Sequence, residues 1–244
     1  MNKEEILETL KLAKENSKKR KFSQSVDFVI NLKGINLKKP EENLNSFVNL
    51  PFHKGKHSKV AALVGDELVT KAKKACEIVI TKDEFYDYGT NPKKTKKMAK
   101  NIDFFLAQAN LMPDIAKAFG KVLGPIGKMP NPKAGAVVPP VIPDLKPIIE
   151  KMQNMVKIQT KNEPSVKVMV GVENMNNEEL VENIIAVYNN VFHFYHDDRT
   201  KIKNAMLKFS MGKPFIIGKK YTKEELEVKT EKKKKGIKKG EKEW

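Results

Sequence analysis

Apolar and polar residues alternate in three ways along this chain, and each way predicts a different local structure. Ile6, Leu7, Leu10 and Ala13 fall on one stripe at helical spacing, and Asn2 with Glu5 three residues on has the form of a capping box. From Phe22 the period drops to two. Phe22, Val26, Phe28, Ile30 and Leu32 alternate with Ser23, Ser25, Asp27 and Asn31, which predicts a strand with one buried face. The middle of the chain is different again. Val60 to Val64 is an unbroken apolar run closed by Gly65, the pattern of a strand covered on both sides. Asp66 can cap a helix bearing Leu68, Val69, Ala72 and Ala75, and Ile78 to Ile80 is the next strand. Asn91-Pro92 opens a lysine-rich helix to about Lys100, Ile102 to Ala107 is a third strand, and Pro113 starts a further helix. Towards the end, Val166, Val168, Val170 and Val172 alternate with Lys167 and Met169. Asn176 and Glu179 then precede a helix with Leu180, Ile184, Val187, Tyr188 and Val191 on one side, and Ile202 to Phe209 and Phe215 to Ile217 read as strands.

This order implies a discontinuous architecture. Strand–helix alternation over residues 54–149 predicts an α/β unit with a parallel sheet. The outer pieces, α-β-β over 1–53 and β-α-β-β over 150–218, each have too few strands to bury a sheet alone. Together they complete one α+β domain, with the α/β unit inserted between them. Residues 219–244, with 11 lysines, six glutamates and the run Lys232 to Lys235, read as a solvated tail.

Charge narrows the class of partner. The 244 residues carry a formal net charge of +17, which points to nucleic acid or another polyanion. By segment the excess is +8 over 54–149, +5 in the tail and +4 over the two outer pieces. Only Arg20 and Arg199 are arginines. Lysine suits phosphates as a point charge, whereas base reading favours the guanidinium fork, so the balance leans towards backbone and shape recognition. Cys76 is the single cysteine, which excludes a disulfide framework and a multi-cysteine metal site. No stretch approaches 18 apolar residues and no leader is evident, so the expectation is a soluble intracellular protein with no membrane association.

Several constellations carry candidate chemistry. The α/β block offers only Val64-Gly65-Asp66 where a dinucleotide fingerprint needs three glycines, and no P-loop occurs, so no cofactor is expected. His193 and His196 with Asp197 and Asp198 have metal-like spacing but lack the rest of a coordination shell. His53 and His57 straddle Gly55 among lysines, like a phosphate-facing or hinge loop. The segment from Leu123 to Pro132, with two glycines and three prolines, is either a rigid connector or a binding loop. Lys18 to Lys21 place four positive charges ahead of Phe22, which is either the first core residue of its strand or a face for stacking on RNA. Ser210-Met211-Gly212 offers a hydroxyl, an apolar side chain and a bare backbone, suited to a ribose and its phosphates or to an ordinary turn.

Taken together, several motifs resemble one family. Lys21 to Ser25, Leu50-Pro51, Phe104 to Ala109, Leu111-Met112-Pro113, Leu123 to Pro132 and Ser210-Met211-Gly212 stand in the order found in large-subunit ribosomal protein one, archaeal type. The resemblance runs from about residue 3 to 218. It implies a split α+β domain that grips ribosomal RNA, a Rossmann-like three-layer inserted domain, and a double hinge between them. It also implies a structural protein without catalysis, forming the mobile stalk beside the tRNA exit site in the cytoplasmic ribosome. Further implied are help in releasing deacylated tRNA, repression of translation through its own mRNA, and a monomer when free. Carried over by position, Phe22 matches the family's RNA-facing phenylalanine, Ser25 its hydroxyl neighbour, and Ser210, Met211 and Gly212 its Thr-Met-Gly triplet. Lys21, Gln24, Lys167, Asn204 and Lys213 complete the expected rRNA-binding set, and Gly124, Gly127 and Lys128 the expected tRNA-facing loop. Two positions depart from the family. Lys213 intervenes before Pro214 where the family has proline directly, and Ile126 stands where it has arginine, whose contact is lost or supplied by Lys128. The competing expectation is a nucleotide-binding α/β enzyme using the inserted domain.

Overall fold

The computed structural model describes residues 1–221 apart from Lys19, Pro40, Lys161 and Asp197. The expected tail from residue 222 onward lies outside the described residues. In chain order the first piece is α1 (Lys3–Glu15), β1 (Ser25–Leu32) and β2 (Asn45–Asn49). The middle block is β3 (Val60–Val64), α2 (Asp66–Ala75), β4 (Ile78–Thr81), α3 (Phe85–Thr90), α4 (Pro92–Asn101), β5 (Phe104–Gln108), α5 (Met112–Ile126), β6 (Val137–Val138) and α6 (Lys146–Gln153). The return piece is β7 (Met155–Gln159), β8 (Ser165–Val172), α7 (Asn177–Phe194), β9 (Ile202–Phe209) and β10 (Phe215–Ile216).

The outer pieces interleave into one antiparallel sheet of order β10-β9-β1-β8, so its central strand and both neighbours come from opposite ends of the chain. The period-two pattern sets which face is buried. Val26, Phe28 and Ile30 point into a core shared with Ile6 and Leu10 of α1 and with Leu180, Ile184 and Val187 of α7. The middle block forms a parallel sheet of order β4-β3-β5-β6. Its central strand β3 is buried at every position because both faces are covered: Val60, Ala62 and Val64 enter one core, Ala61 and Leu63 another. The α/β and α+β fold class is therefore as the pattern implied.

Local details differ from the pattern. Gly65, not Asp66, is the N-cap of α2, and Asp66 is its first helical residue, where its charge still favours the helix dipole. Asn2 gives its amide to the Glu5 carboxylate at 3.4 Å instead of capping the backbone. The third strand of the block starts at Phe104, because Ile102 is used to end α4. α5 continues through Gly124 and Pro125 to Ile126 and ends where Gly127 takes the left-handed conformation (φ 76°). The first four residues of the expected loop, Leu123 to Ile126, are therefore helix, and the loop proper begins at Gly127. A boundary at residue 150 falls inside α6, whose Ile149 and Met152 pack with Ala62 and Leu106.

Two contacts fix where the chain crosses between the cores. The Asn183 side chain, fully buried on α7, accepts a hydrogen bond from the Phe52 backbone N–H at 3.0 Å. It donates to the carbonyls of Phe52 at 3.2 Å and Val170 at 2.9 Å. Ser58 and Gln153 form a reciprocal pair, Ser58 N–H to Gln153 Oε1 at 2.7 Å and Gln153 Nε2 to the Ser58 carbonyl at 2.9 Å, which ties the two crossing segments together.

Candidate nucleic-acid interface

The first strand and the ninth end side by side, and their ends are stitched by two serines. Ser25 N–H donates to Ser210 Oγ at 3.1 Å, Ser210 N–H donates to the Ser25 carbonyl at 3.0 Å, and the two hydroxyl oxygens lie 2.6 Å apart. Beyond Ser210 the chain turns sharply, with Gly212 N–H donating to the Phe209 carbonyl at 2.8 Å. A Cβ at Gly212 would lie 3.2 Å from the Cβ of Phe209 and 3.4 Å from its backbone N and O, so this turn has little room for a side chain. The turn throws Met211 outward, 65% exposed, and Phe22 stands 55% exposed before β1 begins. Exposed large apolar side chains of this kind beside backbone and hydroxyl donors mark a contact surface more than a core. Phe22 is thus not the first buried residue of its strand, contrary to its place in the alternation. The reason is Gln24. Its side chain is buried, and its amide donates to Ser17 Oγ, the Lys18 carbonyl and a Glu173 carboxylate oxygen at 3.0, 3.3 and 3.4 Å, which pins the approach to β1 and leaves Phe22 outside. Gln24 therefore positions this surface from beneath. Lys21 is exposed beside Phe22, and Lys213, half-buried, follows the turn.

The other two expected residues lie further along the face of the sheet turned away from α1 and α7. Lys167 and Met206 flank Val29, and Asn204 lies opposite Asn31, whose amide donates to Asn204 Oδ1 at 2.8 Å. At about 3.3 Å per residue, Lys167 and Asn204 sit roughly 13 and 20 Å along the strand from Ser25. They share its face but not its shelf. Lys167 also pairs with Glu163.

One residue of the shelf escaped the pattern. Asp27, half-buried, receives a hydrogen bond from Ser25 Oγ at 3.3 Å and faces Lys208 across the strands. In the sequence it was only one more outward polar residue. Burial raises its carboxyl pKa above the ordinary 3.8, against the opposing pull of Lys208 and Ser25. The folded state therefore binds the proton more tightly than the unfolded chain. The stability this adds is fully present below pH 3.8 and lost as pH rises through the raised value. Asp27→Asn is expected to melt at a higher temperature than the unaltered protein at pH 7, with the difference shrinking as pH falls towards 3.8. A constant difference across that range would refute the burial argument.

The three loop residues sit elsewhere and are committed to structure. Gly124 is helical, and Gly127 caps α5 by donating to the Leu123 and Gly124 carbonyls at 3.0 and 2.9 Å. Lys128 Nζ reaches the carbonyls of Ala99 and Ile102, placing a cation at the C-terminal end of α4. Ile126 packs against the core of Phe119 and Leu123, so the position where the resembling family has arginine is partly buried here.

The switch point between β3 and β5, where an α/β sheet would hold a nucleotide, is filled from within. Gly65 N–H at the start of α2 donates to Gln108 Oε1 at 2.8 Å, and Gln108 Nε2 donates to Glu67 at 3.3 Å. Asp66 and Glu67 place two carboxylates in the first turn, where a phosphate would need positive potential. The competing expectation of a nucleotide enzyme loses its site. Among the described residues no three of His, Cys, Asp or Glu gather in a metal-binding group; Asp197, part of the expected His193–Asp198 constellation, lies outside them.

The comparison with known families places this shelf in context. The model described as "Ribosomal protein L1p/L10e family" matches residues 12–213. The chain belongs to this family. It is 41% identical over 219 residues to "Large ribosomal subunit protein uL1" of Methanothermococcus thermolithotrophicus, covering 90% of this chain and all of that protein. Proteins of the same name from Methanothermobacter thermautotrophicus and Methanocaldococcus jannaschii are each 40% identical, over 86% and 87% of this chain and 96% and 94% of their own lengths. A uL1-type chain is a structural component of the large ribosomal subunit and not an enzyme. The match to the L1 family contains both halves of the shelf, Phe22 to Asp27 and Phe209 to Lys213.

Proposed function

We propose that this protein binds folded ribosomal RNA of the large subunit in the cytoplasm through the shelf formed by Phe22, Ser25, Asp27 and Ser210 to Gly212. The observation that carries the reading is the pair of exposed apolar side chains, Phe22 three residues before Ser25 and Met211 directly after Ser210, next in sequence to the interlocked serine hydroxyls. Phe22 and Met211 would pack on riboses or bases. The serine hydroxyls and the backbone near Gly212 would meet 2′-OH and phosphate groups, the features that distinguish RNA from DNA. Lys21 and Lys213 would add phosphate contacts.

The finer roles rest on family membership. Residues 1–53 with 150–218 would form the gripping domain, and residues 54–149, with their +8 charge, would face departing tRNA at the exit site. The crossing segments joined by Ser58 and Gln153 would act as the hinge of a mobile stalk that assists release of deacylated tRNA. Binding of its own mRNA, through a copy of the rRNA site, would make the free monomer a translational repressor.

A salt titration tests the reading. Affinity for the folded rRNA stalk fragment should fall with salt yet stay at least about a thousandfold above affinity for random duplex at physiological salt. Equal binding to both at every salt concentration would reduce the protein to a generic polycation.

A further inference from the structure

We propose that the cleft between β2, β7 and β8 on one side and the middle block on the other is a binding site for a phosphate-bearing anion, separate from the RNA shelf. The cleft encloses about 360 Å³, within the range of ligand pockets. Five lysines line it from four parts of the chain: Lys54 and Lys56 from the crossing segment, Lys128 from just after α5, Lys157 from β7 and Lys167 from β8. Among the described residues the one carboxylate lining it is Asp103. Lys167 is balanced by Glu163.

The hydrogen bond that Lys54 makes goes to a carbonyl of no net charge, whereas Lys128 sits at the C-terminal end of α4, whose dipole offsets part of its charge. Lys157 Nζ donates to the Gly127 carbonyl at 2.9 Å, Lys54 Nζ to the Met155 carbonyl at 3.5 Å, and Lys128 to Ala99 and Ile102. A single strand carbonyl satisfies a donor without supplying a net counter-charge, and charges of like sign in a concave, partly dry site reinforce one another's field. Two of the ammonium groups also lean on aromatic rings, Lys54 at 5.6 Å from the centroid of Phe104 and Lys157 at 5.8 Å from that of Phe47. Met155 and Lys157 are two residues apart on β7, so Lys54 and Lys157 approach the same stretch of strand. Burial and the neighbouring Lys56 push the Lys54 ammonium pKa down, opposed by Asp103. A bound phosphate would relieve that strain. Because Lys157 already bridges from β7 to Gly127 at the end of α5, an anion here would also hold the walls of the cleft together.

The test measures thermal stabilisation of the full chain by sodium pyrophosphate and, separately, by a short oligouridylate. Lys54→Gln combined with Lys56→Gln is expected to weaken the apparent affinity roughly tenfold, the weight of one lost charge-assisted hydrogen bond. Lys93→Gln with Lys96→Gln on α4 removes the same charge from an exposed helix face and should change it less than about twofold. If the first double variant does not fold, Lys56→Gln alone, at an exposed side chain, should still weaken binding about threefold. Saturation by pyrophosphate identifies a free anion as the ligand, and a response to oligouridylate alone identifies an RNA phosphodiester. No response to either probe, or equal losses in the α4 and cleft variants, would overturn the proposal. Met211→Glu should leave this binding intact, so the cleft and the RNA shelf fail or stand separately.

Discussion

Replacing Met211 by glutamate is expected to lower affinity for the rRNA fragment about a hundredfold while leaving the melting temperature within about a degree. The two halves of this expectation have separate causes. Met211 is 65% exposed on the turn after β9 and its side chain makes no contribution to the core of Phe209 and Leu207, so folding should not notice the change. Binding should, because an apolar anchor is lost and a carboxylate is set among phosphates; central anchors of this kind are worth about 2–4 kcal/mol each. Phe22→Ala should give a smaller loss with the same unchanged melt. Gly212→Glu is a poorer probe, because its Cβ would press on Phe209 and mix a folding defect with a binding one. Unchanged affinity in a folded Met211→Glu protein would remove the shelf from the binding site.

The largest effect on stability is expected at Asn183. Asn183→Leu keeps the volume but removes all three hydrogen bonds at once, leaving the Phe52 N–H and the Phe52 and Val170 carbonyls to find new partners in a buried place. At about 1–3 kcal/mol for each group left unsatisfied, partly recovered by the gain in apolar burial, a loss of about 3 kcal/mol follows. Urea unfolding should show it as a lower midpoint with an unchanged slope. A midpoint equal to that of the unaltered protein would mean that Phe52 is held by something else.

Both residues show where the sequence was informative and where it was not. The strand patterns at Phe28 and Ile30, at Val60 to Val64 and at Ala205 to Phe209 were legible because alternation and continuous apolar runs follow directly from one or two buried faces. The short elements β6 and β7 and the helices α3 and α6 carried no such signal; β7 spans only Met155–Gln159 and is recognisable chiefly by its pairing with β2. Phe22 fitted the alternation and yet lies outside the strand, because three hydrogen bonds to the side chain of Gln24 outweigh the burial of one ring. Asn183 fell between apolar helix positions and gave no sign of its partners, which are 131 and 13 residues away.

By itself the sequence determined the split architecture, the family, and a polyanion as the class of partner, because period, motif order and net charge are properties of the chain alone. Which residues meet was decided by tertiary structure. Ser25 and Ser210 are 185 positions apart and share a hydrogen bond only because β1 and β9 are neighbours in one sheet. Lys167 and Asn204 share that sheet face but sit further along it, and Lys128 turned inward to end a helix. Most of the excess charge belongs in sequence to other segments than the shelf, +8 of it to residues 54–149, since long-range attraction can act from a distance, whereas specificity requires groups within hydrogen-bonding distance of one another.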